Sequence, residues 1–298
     1  MNDSRSGLGP SPALAMIAVH AHPDDESSKG GATMAKYAAE GVRVVVATFT
    51  GGERGDVLNP RLKGDPAVER DLPARRRREM ADAARILGVE QQFLGFVDSG
   101  LPDGDPPPPL PEGSFATIDP AEAALPLVKL IRQVRPQVLT TYDPTGGYPH
   151  PDHVHTHAVS MAALEIAADP AAHPHLGPPH RVAKVYYDRA ISIERAVALD
   201  RALTARGLES PYKNWLASRR EDPSARPEVT TRVPVADFFA VRDAALRAHA
   251  SQVDPEGWFF LVPRQVEREV WPHEDFELAS SAVPVDLPES DLFAGVRP

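Results

Sequence analysis

The chain has 298 residues, 42% hydrophobic and 25% charged, which suits a soluble protein with a buried core, and no apolar run is long enough to span a bilayer. It has no cysteine, so disulfides, thiolate zinc sites, iron–sulfur clusters and cysteine nucleophiles are excluded, and any metal must be held by nitrogen and oxygen. A formal net charge of −10 argues against nucleic-acid binding, and a polar start without an apolar h-region predicts a cytoplasmic protein.

Residues 1–12 are expected to form a flexible extension. An apolar run over 14–19 predicts the first strand, ending at His20. Residues 32–40 predict a helix closed by Gly41, and the β-branched run 42–49 a second, buried strand. Met80, Ala83, Ala84 and Leu87 share one face of a helix predicted over 75–87, with Gly88 after it. A third strand is expected at 92–97, and four prolines at 106–109 predict a stiff extended loop. A helix at 120–134, a strand at 137–142, a helix at 152–168 and a strand at 182–187 follow. Beyond them only 235–252 has a helical pattern.

Such alternation predicts an α/β fold with a mostly parallel sheet and helices on both faces. The expected division is a core over 13–190 and a less regular part, 191–298, that packs on it and completes the substrate pocket. In sheets of this kind ligands bind beyond the carboxyl ends of the strands, which marks the loops 20–31, 50–60 and 143–153.

Two of these loops carry chemistry. One reads His20-Ala-His22-Pro-Asp24-Asp25-Glu26, and the other reads from Tyr142-Asp143 to Tyr148-Pro-His150-Pro-Asp152-His153. Without cysteine, two histidines and one aspartate form a natural ligand set with a position left for water. Adjacent aspartates on an extended segment point apart, so one can ligate while the other takes a proton from water. The alternative is plain helix capping by Asp25, Ser27 or Asp152. A further alternative is the two-histidine, one-carboxylate triad of non-haem iron oxygenases, although these commonly use a jelly roll.

His-Pro-Asp-Asp-Glu after a first strand, with a distant His-Pro-Asp-His, resembles the zinc-dependent N-acetylglucosaminyl-inositol deacetylase superfamily, the LmbE-like proteins. Residues 18–30, 50–60, 94–102, 140–153 and 243–255, with the FELASSAVP and DLFAGV stretches, resemble its amidase branch. That resemblance implies a lactate-dehydrogenase-like fold with zinc on His22, Asp25 and His153, ferrous iron being a second candidate. It implies Asp24 as general base and Tyr148 as the group that polarises the scissile carbonyl. His150 would act as general acid or electrostatic stabiliser, Asp152 would orient a histidine, and His20 would be structural. Lys29, Asp56, Arg76 and Asp98 would bind substrate. Asp56 is one methylene shorter than the glutamate common in the relatives. His249 to Gln252 matches a superfamily element that either lines the pocket or packs a helix. The implied reaction cleaves the cysteinyl–glucosamine amide of a small thiol–sugar conjugate, the mycothiol S-conjugates. Deacetylation of N-acetylglucosaminyl-inositol is the alternative. No nucleic acid or membrane partner is implied, and oligomeric state is left open.

Overall fold

The first strand, β1 (Ala15–His20), is buried along its whole length. Successive side chains of a strand point to opposite faces, so β1 serves two cores. Ala15, Ile17 and Val19 pack with Phe49, Phe115, Leu127 and Val159. Met16 and Ala18 pack with Met34, Tyr37, Met80 and Phe239 on the other side. The computed structural model that reveals this describes residues 14–219 and 228–297. The extension expected at 1–12 lies outside the described residues.

The remaining strands are β2 (Arg43–Thr50), β3 (Glu90–Phe96), β4 (Val138–Thr141), β5 (Lys184–Asp188), β6 (Thr231–Pro234) and β7 (His273–Ser281). They form a seven-stranded sheet in the order β3-β2-β1-β4-β5-β7-β6. Strands β1 to β5 pair in parallel, and β7 runs antiparallel to both β5 and β6. The mostly parallel α/β sheet expected from the sequence is thus present, and it is not a jelly roll. After β3 the chain returns to the far side of β1 to make β4. The switch point between β1 and β4 is where such sheets open a ligand crevice.

Helix ends follow local chemistry. Leu72–Leu87 starts earlier than expected because Asp71 caps it, accepting the Ala74 N–H at 3.3 Å, with a proline in the first turn. The single helix expected over 120–134 is two, Pro120–Ala123 and Leu125–Val134, the second with Pro126 in its first turn. A proline there is tolerated only at the start of a helix. Pro151–Ala168 is fixed at its far end by buried Arg132. That guanidinium donates to the carbonyls of Ile166, Asp169, Ala172 and His173 at 2.7–2.9 Å. The last expected helix, over 235–252, is shorter, a 3-10 turn followed by Phe239–Ala248. Residues 249–252 leave it.

The C-terminal third is more regular than its sequence suggests. It contributes β6, β7 and the helices Ile193–Ala205, Lys213–Arg219 and Arg264–Val270. Its last segment is locked to the sheet through Lys184. The Lys184 Nζ, fully buried, donates to Glu289 Oε1 at 2.5 Å and to the Ala294 carbonyl at 3.1 Å. Tyr186 donates to Glu289 Oε2 at 2.8 Å. No helix among the described residues is long and apolar enough to cross a membrane.

Candidate metal centre

The loop after β1 turns sharply. Asp24 has φ +108°, a region that costs a non-glycine residue about 1–3 kcal/mol unless its surroundings enforce it. The surroundings do. The Asp24 N–H donates to Glu26 Oε2 at 2.9 Å, and its carbonyl accepts the N–H groups of Ser27 and Ser28 at 3.2 Å each. Arg76 Nη2 donates to the Pro23 carbonyl at 2.8 Å and lies 3.6 Å from Asp24 Oδ2. The two aspartates do diverge, but not on an extended segment. A left-handed Asp24 precedes the one-turn helix Asp25–Ser28, and its side chain makes no capping bond.

Asp25 turns inward. Its Oδ2 lies 3.5 Å from His22 Nδ1 and 3.4 Å from His153 Nε2. Each other atom of these rings has its own partner. His153 Nδ1–H donates to the Gly146 carbonyl at 3.1 Å, which leaves the Nε2 lone pair facing Asp25, buried and without a partner. His22 Nε2 meets Asp152 Oδ2 at 3.1 Å. Three donor atoms converging in this way, with the outer ring nitrogens held by a carbonyl and a carboxylate, fit a divalent metal ion. A second grouping, His22 with His150 and Asp152, also has its donor atoms within 4.8 Å of one another. It fits less well, because His150 Nδ1 is engaged as acceptor of the Asp152 N–H at 3.1 Å, capping the helix Pro151–Ala168. Asp152 therefore does not cap that helix itself. It holds His22 and accepts the Ser99 N–H at 3.0 Å.

Glycine is required at one point. Gly146 has φ +74°, and an added Cβ would stand 2.7 Å from His153 Cβ. The loop can reach the ring it orients only without a side chain there.

Electrostatics favour a cation. The carboxylates of Asp25, Asp98 and Asp152 gather around His22, with Lys29 beside Asp25 and Arg76 beside Asp24. Burial alone would raise Asp25, but Lys29, His153 and His22 outweigh it and hold the carboxyl well below its usual range. Asp24 moves the other way, raised by desolvation despite Arg76. Burial, with His22 and His153 nearby, pushes His150 down to about 4.

The structure places the other expected residues as follows. Tyr148 is half-exposed, its ring 4.6 Å from that of His153. Lys29 Nζ donates to Asp25 Oδ1 at 2.5 Å. Arg76 is buried and bonds to backbone carbonyls of Pro23 and Gly52. Asp98 is buried too, its Oδ1 3.5 Å from His22 Nε2 and bonded to the Gly100 N–H at 2.8 Å. Asp56 is exposed, with its backbone carbonyl held by Gln252 at 3.0 Å. His20 is buried, and burial lowers it to about 4.

Three contributors were not assigned from sequence. Tyr142 stacks on His153, ring centroids 4.4 Å apart, and its hydroxyl accepts the Ala21 N–H at 3.2 Å. Glu26 is fully buried and accepts from Ser27, from the Asp24 N–H and from His249 Nε2, the last at 2.7 Å. Against burial, His249 and these donors hold Glu26 down at about 2. His249 neither lines an open pocket nor belongs to the helix before it. Tyr142 had a local signal, its place at the end of β4, and His249 lay in a stretch that matches a superfamily element.

Asp152→Asn removes the charge that orients His22 but no donor atom of the favoured group. Affinity for zinc is expected to fall by about 10–100-fold in chelator competition. Wild-type affinity would mean that Asp152 does not support the metal site.

Residues 17–164 match the family model described as PIG-L, GlcNAc-PI de-N-acetylase. The chain is 57% identical over 286 residues to a mycothiol S-conjugate amidase of Streptomyces coelicolor, covering 95% of this chain and 98% of that protein. It is 41% identical over 297 residues to a 1D-myo-inositol 2-acetamido-2-deoxy-alpha-D-glucopyranoside deacetylase of Streptomyces avermitilis, covering 96% and 99%. Its fold is similar to that of N,N'-diacetylchitobiose deacetylase from Pyrococcus horikoshii, with TM-score 0.60, 20% identity, and coverage of 89% of this chain and 84% of that one. With its two motif loops meeting at the switch point of a parallel sheet, the chain belongs to the GlcNAc-PI de-N-acetylase family.

Proposed function

We propose that this chain is a zinc-dependent amidase that hydrolyses the cysteinyl–glucosamine amide of mycothiol S-conjugates, releasing a mercapturic acid and glucosaminyl-inositol. The observation that carries the reading is the near full-length likeness to the Streptomyces coelicolor amidase. Action on a small thiol–sugar conjugate, a detoxifying role and a cytoplasmic setting are parts of the same reading.

His22, Asp25 and His153 would hold the zinc ion, which supplies a Lewis acid and brings the pKa of water down to about 7. Asp24 takes the proton from the attacking water. Its side chain is a quarter exposed, so that water can reach the carboxylate. The water oxygen bonds to the amide carbon, and negative charge grows on the carbonyl oxygen. Tyr148 O–H donates to that oxygen as the charge develops. His150 uses Nδ1 to cap its helix, so the proton of the neutral ring sits on Nε2. We assign it as a hydrogen-bond donor that stabilises charge. The carbon–nitrogen bond then breaks, and the proton held by Asp24 goes to the leaving amine.

Zinc-loaded protein should turn over a bimane conjugate of mycothiol faster than N-acetylglucosaminyl-inositol. Faster release of acetate from the second substrate would overturn the amidase reading in favour of the deacetylase. A parallel assay with ferrous iron identifies the more active metal.

A further inference from the structure

Residues 249–252 follow the helix Phe239–Ala248, yet they bond to three separate parts of the site's framework. His249 Nε2 meets Glu26 Oε1 at 2.7 Å. Ser251 donates to Glu79 on the helix Leu72–Leu87, from N–H at 3.0 Å and from Oγ at 2.6 Å. The Ser251 carbonyl accepts the Leu58 N–H at 2.9 Å, and Gln252 Nε2 holds the Asp56 carbonyl, both in the loop after β2. His249, Ser251 and Glu26 are fully buried.

One of these ties leads to the turn that carries Asp24. Glu26 accepts His249 and the Ser27 hydroxyl on one oxygen and the Asp24 N–H on the other. That N–H belongs to the residue held at φ +108°. A buried carboxylate keeps one orientation only while its donors fix both oxygens. The Asp24 and Ser27 donors come from the same short turn, so His249 is the donor that ties Glu26 to a distant element; without it Glu26 is held only from within that turn, and the Asp24 backbone loses part of what enforces its left-handed conformation.

We propose that His249 is a positioning residue, acting through Glu26 to hold the Asp24 backbone so that the Asp24 carboxylate faces the attacking water. The proposal rests on the reading of Asp24 as the base. His249 touches neither substrate nor metal. It is joined to the reacting groups by one carboxylate and one backbone N–H.

The test is a double-mutant cycle on the zinc-loaded full chain, followed by kcat, KM and bound zinc. His249→Leu keeps comparable bulk but has no donor. It should lower kcat by about tenfold or more, because small displacements of a reacting group are costly, with KM and bound zinc unchanged. His249→Gln returns an N–H to the Nε2 position and should restore most of the lost kcat. If the leucine variant does not fold, His249→Asn serves, since its amide stops short of Glu26, and it should show the same loss. In an Asp24→Asn background the His249 substitution should cost nothing further. An unchanged kcat in the His249 variant, or the same loss in both backgrounds, would overturn the proposal while leaving Asp24 as base. Wild-type kcat in Asp24→Asn alone would instead sink the reading of Asp24, and this inference with it.

Discussion

Replacing Asp24 with asparagine is expected to lower kcat by about 10²–10⁴-fold and to leave bound zinc at the wild-type level. The carboxylate lies outside the His22, Asp25 and His153 cluster. Its side chain keeps a quarter of its surface exposed, so water can reach it. Asparagine has the same shape, and it tolerates the left-handed region that the Asp24 backbone occupies. An amide oxygen can still receive Arg76, which lies 3.6 Å away, so the loop should hold. What disappears is the capacity to take a proton. Zinc analysis of the purified variant, set beside steady-state kinetics, separates the possibilities. Loss of zinc would mean that Asp24 and Asp25 have exchanged roles. Normal turnover with normal zinc would remove Asp24 from the mechanism.

The second large effect is on stability, far from the metal cluster. Lys184→Met should destabilise the fold by about 3–5 kcal/mol, the usual consequence of stranding one partner of a buried ion pair. Glu289 would keep Tyr186 at 2.8 Å but no positive charge. Methionine fills most of the space left by the lysine stem, so the loss reports the ammonium rather than a cavity. Thermal unfolding followed by circular dichroism should shift down by roughly 6–20 °C, using about 2–4 °C per kcal/mol for large domains. Lys184→Met with Glu289→Gln should recover part of the loss, since the unpaired charge is gone. A melting temperature equal to wild type would show that the pair is energetically neutral.

That histidines and aspartates from two strand ends would meet was legible from the residues, whereas the particular set His22, Asp25 and His153 came from the family resemblance. His22 and Asp25 follow β1, and His153 lies in the first turn of the helix after β4. Parallel packing then brings neighbouring strand ends together, and β1 pairs directly with β4. The parting of Asp24 from Asp25 was foreseen, but its cause was not, because a left-handed residue before a helical turn leaves no composition signal. Asp152 as an orienting partner followed from the family resemblance, whereas its bond to Ser99 depends on where β3 ends.

The roles of Glu26 and His249 were out of reach because they are set by a contact across more than two hundred positions of chain. Sequence periodicity reports which face is buried and is silent on which partner waits there. Strand β7 was hidden for another reason. His273–Ser281 carries Glu274, Asp275 and Glu277 among its apolar residues, so it does not read as a buried strand. Those charges are used by the fold. Glu274 accepts the N–H groups of Ala32 and Thr33, and Asp275 accepts Ser192 and Trp271.

The placement of these residues along the chain sets an order of events during synthesis. His22, Asp25 and His153 all come from the first 153 residues of the chain, just after two strands that are neighbours in the sheet. His249 emerges roughly a hundred residues later, about 5–20 s at ordinary rates of elongation. The nascent chain thus holds every donor of the metal cluster before the segment that braces Asp24 exists. On the ribosome, the residues proposed to hold the ion emerge before the one proposed to aim the base.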